Sequence, residues 1–216
     1  MGKQVIEPFL TVANYRFIEQ QAHKILRALT TTKDKNVILA VRGIVKADVI
    51  DSFTWSEEEE KVIQPLIDIT DRTEGEAFLE QLTSYIVPFK TVEASKLKSL
   101  FKKEKKLKLP TLEEMDFQHI SYLAWDDPGK LRRYMVIEQD SGFKALKGTF
   151  THPSTKGICA LCNQHSDVVR LTTSVKGEVP GTFTKHYNYI CADSQLCNQQ
   201  VTDIEKVRTF FDRVTK

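Results

Sequence analysis

An α+β fold in two domains is predicted by three observations. Apolar residues recur at helical spacing through the first 88 positions. After Pro110 that period gives way to β-branched and aromatic runs separated by turn dipeptides. The four cysteines of the chain form two pairs, Cys159-Ala160-Leu161-Cys162 and Cys191-Ala192-Asp193-Ser194-Gln195-Leu196-Cys197. The expected organisation is an antiparallel helical bundle over 1–88 followed by an α/β domain over 89–216.

Over 7–29, Phe9, Val12, Ile18, Ala22, Ile25 and Leu29 form the stripe of an amphipathic helix, with Tyr15 bridging its one longer step. A second helix is expected over 34–49, with Val37, Ile38, Val41, Ile44 and Val45 on the buried side. Gly43 in its middle costs about 1 kcal/mol relative to alanine. Ser56 and Glu59 form a capping box, which places the acidic run of Glu57, Glu58, Glu59 and Glu60 in a first turn, where unpaired amides favour negative charge. Val62, Ile63, Leu66 and Ile67 continue that helix, which Pro65 should kink or interrupt. Thr73 and Glu76 repeat the capping pattern ahead of Phe78, Leu79, Leu82, Tyr85 and Ile86, and Pro88 ends the run. Short links leave these stripes only one another to pack against, hence a bundle. His23 has no matching partner there and reads as a surface residue.

Leu97, Leu100, Phe101 and Leu107 predict a helix over 95–108 that buries one narrow face and carries Lys96, Lys98, Lys102, Lys103, Lys105, Lys106 and Lys108 around the rest. Two readings of that run remain open: lysine stems covering apolar surface, or contacts to ribosomal RNA phosphates. Beyond Pro110, a strand is expected over 120–125, a turn at Asp126-Asp127-Pro128-Gly129, and further strands over 133–138 and 143–151. Strands over 168–174 and 182–190 enclose a hairpin loop, and Thr202 with Glu205 caps a last helix carrying Val207, Phe210, Phe211 and Val214.

A Cys-x-x-Cys turn directs two thiolates at one point, and a second pair brought up by folding completes a tetrahedron around zinc. Cys159, Cys162, Cys191 and Cys197 are therefore expected to bind one structural zinc ion. A pair of disulfides suits a secreted domain, but the opening Met1-Gly2-Lys3-Gln4 contains no apolar signal segment. A redox pair leaves Cys191 and Cys197 without a role. His165 is the one alternative ligand. Knuckle, hairpin and terminal helix follow in the order of a treble-clef zinc finger, expected over about 156–216.

Hydrophobic content of 41 % and charged content of 28 % are those of an ordinary globular protein, and no apolar run is long enough to span a membrane. A cytoplasmic location is expected. The formal net charge of +2 gives the chain as a whole no electrostatic affinity for nucleic acid. No phosphate loop, serine triad or metalloprotease motif occurs, so a non-enzymatic protein is expected.

The segments KGICALCN at 156–163, YICADSQLCNQQVTDI at 189–204, IVPF at 86–89 and LFKKEKKLKLP at 100–110 resemble the FusB-type fusidic-acid-resistance proteins, also described as elongation factor G-binding proteins. The specific motifs lie in the last ~130 residues, and the first 85 match only in being helical. The resemblance implies a helical bundle followed by an α/β domain with a treble-clef zinc finger. It also implies binding of elongation factor G through the zinc-finger domain, and release of that factor from ribosomes on which fusidic acid has trapped it. By the same resemblance, Cys159, Cys162, Cys191 and Cys197 hold zinc, and Tyr189 and Phe210 contact the factor. His186 stands where the family has lysine, with Lys185 beside it as a substitute. The rival reading is a zinc-containing RNA- or ribosome-binding module acting in translation.

Overall fold

The computed structural model describes residues 6–215. The opening residues 1–4, where the sequence shows no signal segment, lie outside them. The chain separates into two compact units between Val87 and Pro88.

The first unit is helical: α1 (Val12–Thr31), α2 (Lys35–Lys46), α3 (Glu57–Ile63) and α4 (Arg72–Thr83). α1 starts five residues later than its stripe predicts. Phe9 and Leu10 lie extended instead, both donating to the Tyr85 carbonyl at 2.9 Å, while Val87 N donates to Leu10 O at 2.8 Å. Both ends of the unit are thereby tied together. The capping box is present at α3, with Glu59 N donating to Ser56 Oγ at 3.2 Å and Ser56 N to Glu59 Oε2 at 2.7 Å. Pro65 ends α3 at Ile63, and Gln64–Asp68 winds as a 3-10 turn.

Two further expected features differ in the structure. α4 is capped by Asp71, whose carboxylate accepts from Glu74 N at 2.9 Å, and not by Thr73. Gly75 of α4 lies against Leu26 of α1, where a Cβ would be 2.9 Å from a leucine methyl. α2 buries only Val45, leaving Val37 46 % and Ile44 50 % exposed. A single π turn at Ala47–Asp51 follows it, and Val49 and Ile50 make the buried contact instead. The core of the unit consists of Leu10, Ile18, Ala22, Ile25, Val45, Val49, Ile63, Leu66 and Leu82, none more than 1 % exposed.

The second unit is built on an antiparallel six-stranded sheet: β1 (Leu123–Asp127), β2 (Arg132–Gln139), β3 (Gly142–Phe150), β4 (Thr155–Ile158), β5 (His165–Lys176) and β6 (Phe183–Cys191). β1, β2 and β3 form a meander. β5 is the hub: β4 pairs with its first residues, β3 pairs at Leu171 and Thr172, and β6 runs along the opposite edge from Val168 to Lys176. β2 is buried over Arg133–Ile137 on both faces, which is why its apolar residues run on without alternating.

Three helices complete the unit: α5 (Ala94–Leu100), α6 (Ser194–Gln200) and α7 (Ile204–Thr215). α7 packs on β3 and β5 and buries Val207, Phe210, Phe211 and Val214. Its first amides are taken by Asp203, which accepts from Glu205 N at 3.0 Å and Lys206 N at 3.2 Å, where the sequence pattern pointed to Thr202. α6 lies between β6 and α7, in a stretch for which no element was predicted. Asp193 starts it, accepting from the amides of Gln195 and Leu196.

The predicted helix over 95–108 ends at Leu100. Phe101 turns inward and sets its ring edge-on to Trp125 and Tyr134, at 5.6 and 5.1 Å between centroids. Glu104 then accepts from Arg132 at 2.6 Å, from the Tyr134 hydroxyl at 3.2 Å and from Lys147. The Lys147 contact, reinforced by Arg132, holds the Glu104 carboxyl below the usual range against the opposing effect of burial. A continuing helix would forgo these contacts, so the chain crosses the sheet as a series of turns.

The unequal burial of two isoleucines in the first unit yields a prediction. Ile25→Ala removes a side chain that is 0 % exposed and is expected to cost about 2–5 kcal/mol in denaturant unfolding. Ile44→Ala, on the open side of α2, is expected to change stability by no more than about 0.5 kcal/mol.

Candidate metal centre

β4 runs into a tight knuckle at Cys159. Cys159 N donates to Gln164 O at 3.0 Å, Asn163 N donates to Cys159 O at 2.9 Å, and Asn163 takes the left-handed conformation (φ 58°) that asparagine tolerates. Cys191 is the last residue of β6, and Cys197 lies on α6 after the Asp193 cap. The four sulfurs all lie within 4.8 Å of one another, with Cys159 to Cys197 at 3.7 Å and Cys162 to Cys191 at 3.6 Å. Four Zn–S bonds of about 2.3 Å directed to the corners of a tetrahedron require sulfurs about 3.8 Å apart. Disulfides require about 2.05 Å, and all four cysteines are free thiols. His165 is exposed, opposite Ile158 in the β4–β5 ladder, and does not join the cluster.

The surroundings suit anionic sulfur. Leu161 N and Cys191 N are directed at Cys159 Sγ, at 3.4 and 3.3 Å. Hydrogen bonds from the other three thiols hold Cys159 well below the ordinary thiol range, while the same crowding pushes Cys197 up. A central dication removes the mutual repulsion that opposes ionising all four. The Tyr122 phenol, 1 % exposed, is held well above its usual value by burial and then by the neighbouring Cys197 sulfur, so it remains a neutral donor toward that sulfur. Four protein sulfurs close the coordination sphere, and the zinc they hold is structural.

Three residues that the sequence pattern did not single out brace the site. Arg133, 3 % exposed on β2, donates to Asp126 at 2.7 and 2.8 Å, and to the carbonyls of Cys191 and Ala192 at 2.6 and 2.5 Å. Asn198 of α6 accepts from the amides of Ser121 and Tyr122 and donates to Tyr122 O at 3.0 Å. Tyr122 is the third. The turn at Pro128-Gly129 does not by itself reveal Arg133: the register that pairs it with Asp126 is centred between Gly129 and Lys130.

The residues expected to meet a partner are separated by strand alternation. Along β6, Phe183, Lys185, Tyr187 and Tyr189 share one open face, opposite Lys176, Ser174, Thr172 and Arg170 of β5. Phe183 is 64 %, Tyr187 58 % and Tyr189 52 % exposed, and the Arg170 guanidinium lies 5.7 Å from the Tyr187 ring centroid. The Tyr189 carbonyl accepts from Ala160 N at 2.8 Å, which joins this face to the knuckle. His186 belongs to the other side of the sheet, paired with Thr173 and half-buried. Phe210 is 2 % and Phe211 0 % exposed, so both rings of α7 pack inward and Phe210 offers no exposed ring to a partner in this conformation.

Metal analysis of the purified protein is expected to give one zinc per chain. Cys159→Ser should abolish it and, with it, the tertiary signal of the second unit in near-UV circular dichroism. Tyr122→Phe removes only the phenol donor; zinc affinity, measured by chelator competition, should fall by about tenfold with the fold retained.

Comparison with protein families matches residues 9–90 to the family described as elongation factor G-binding protein, N-terminal. Residues 92–213 match the family described as the FBP C-terminal treble-clef zinc finger. Among solved structures, that of the fusidic acid resistance protein FusC superposes with a TM-score of 0.81 at 28 % identity, over 99 % of this chain and 100 % of that one. No curated protein matches by sequence. With the zinc-finger match spanning more than half of the chain and the other match covering the helical unit, this chain belongs to the FusB-type family of elongation factor G-binding proteins with a C-terminal treble-clef zinc finger.

Proposed function

We propose that this protein binds translation elongation factor G through the open β5–β6 face and promotes release of the factor from ribosomes stalled by fusidic acid, conferring resistance by protecting the target. The observation that carries this reading is the aromatic and cationic surface of Phe183, Lys185, Tyr187, Tyr189 and Arg170, rigidly attached to a zinc knuckle in a chain of this family. Tyrosine and arginine are the residues on which protein interfaces most often depend, because they combine large contact area with polar tips and few rotatable bonds. Lys185 supplies charge on the same face, whereas His186 lies on the other side of the sheet and Phe210 is buried on α7, which packs on β3 and β5.

Release follows from binding only if the protein favours a conformation of the factor that holds the ribosome less tightly; equal affinity for both conformations would shift nothing. No covalent chemistry is required. The zinc has no open position for water or substrate, so its role is to fix the binding face. Among the described residues no helix is long and apolar enough to cross a membrane, and the action belongs in the cytoplasm with the ribosomes.

Titration of purified elongation factor G tests this reading. Tyr189→Ala and Tyr187→Ala are expected to weaken binding by about tenfold or more each, with zinc content unchanged. In sedimentation assays with fusidic acid, the intact protein should reduce the factor bound to ribosomes, and the tyrosine variants should not. Unchanged affinity in both variants would remove this face from the interface, and an unchanged ribosome-bound fraction would overturn release.

A further inference from the structure

The lysine-rich segment that begins in α5 has no part in the β5–β6 face, and its structure is more specific than a solvated helix. Over 96–108 it carries Lys96, Lys98, Lys102, Lys103, Lys105, Lys106 and Lys108 with one acid, Glu104. Glu104 turns inward to Arg132, Tyr134 and Lys147, so it neutralises none of the seven. Among the described residues, no acidic partner lies within ion-pair distance of any of them. Leaving so much like charge together costs stability at low ionic strength, a cost that a polyanion would relieve.

The segment is also held in shape. Leu97 and Phe101 are buried, and Leu107 and Leu109 pack against the same aromatic cluster. Trp125 Nε1 donates to Lys108 O at 2.9 Å and Lys130 Nζ donates to Lys106 O at 3.0 Å. The backbone is thus pinned from below while the lysines project outward from successive turns. The groove of about 360 Å³ between these turns and β3 is lined by apolar residues and by the Glu104–Lys147 ion pair, so the cationic surface is the outer ridge, with Lys102 and Lys103 at the groove's edge.

We infer that this ridge binds the phosphodiester backbone of a nucleic acid without reading its sequence. Lysine is a point charge suited to phosphate, whereas base recognition calls for arginine forks or exposed aromatic rings, and the segment has no arginine and exposes no large apolar side chain. The same absence argues against a protein partner, since protein interfaces are depleted in lysine and centre on aromatic or apolar anchors. Nucleic-acid binding by the ridge does not depend on the binding of elongation factor G.

The test is fluorescence anisotropy of the full-length zinc-loaded protein with a 20-base-pair RNA duplex and a DNA duplex of the same sequence, across a salt series. Affinity is expected to fall steeply with salt. The variant with Lys102, Lys103, Lys105 and Lys106 changed to glutamine should bind at least tenfold more weakly at low salt. Its slope of log affinity against log salt should be flatter by up to about 3.6, near 0.9 for each of the four phosphates no longer neutralised on a duplex. A charge-matched control, with Lys33, Lys35, Lys61 and Lys206 changed to glutamine, should bind within about twofold of the parent. A stronger response to the RNA duplex identifies RNA as the source of the phosphates; an equal response identifies a general polyanion surface, and both support the inference. No binding of either duplex at 50 mM salt, or equal weakening by the ridge and control variants, would overturn it. So would loss of elongation factor G binding in the ridge variant with duplex affinity intact, which would assign the ridge to a protein interface.

Discussion

Convergence of four sulfurs on one point is the constraint on which the second unit depends. They come from two places far apart in the chain, the knuckle after β4 and the junction of β6 with α6, and they are buried. Four crowded thiolates repel one another, so the arrangement stands only around a cation, and metal binding is then part of the folding free energy. The zinc knuckle brings Ala160 to the Tyr189 carbonyl and so sets the end of β6. From that point the pleat alone determines which side chains of β6 face outward. The metal has no chemistry of its own to perform; its effect is to give a small, heavily exposed hairpin face a fixed shape, which lowers the ordering cost of binding a partner.

The buried polar groups around the site extend the same constraint into the sheet. Arg133 lies beside a buried apolar run of β2, and desolvating its guanidinium is unfavourable unless Asp126 and two carbonyls accept its hydrogen bonds. Those carbonyls belong to Cys191 and the residue after it, so the charge and the metal fix the same stretch of backbone. Asn198 does the equivalent for α6, using both ends of its amide to hold the segment ahead of β1. Such groups specify one arrangement more than they add stability, since any shift of α6 or β2 would leave a buried donor or acceptor unpaired.

Much of this was legible in the sequence, for identifiable reasons. The ligand set was readable because thiol spacing carries the chemistry directly. The α3 capping box was readable because both of its hydrogen bonds are local. The α4 cap was not: Asp71 and Thr73 are both competent N-cap residues, and local pattern alone does not rank them. The open side of α2 was unreadable for a similar reason, because an apolar stripe says that a face can be buried and not that a neighbour exists to bury it. In the lysine segment helical spacing was real, but Phe101 found better partners in Trp125 and Tyr134 than one more helical turn could offer.

The partner-facing residues divide along the same line. Phe210 and Phe211, adjacent on a helix, left open which ring was inside, and packing of α7 on β3 and β5 buried both. Lys185 and His186 were interchangeable candidates until the β5–β6 register put them on opposite sides of the sheet. By itself the sequence determined the two-part α+β architecture, the position of most elements and a closed four-thiolate zinc site, since these rest on periodicity, local hydrogen bonding and ligand chemistry. Only the tertiary structure decided which faces are covered, which charges are buried and which aromatic rings remain exposed. Exposure is a property of a residue's neighbours, and those neighbours are remote in the chain.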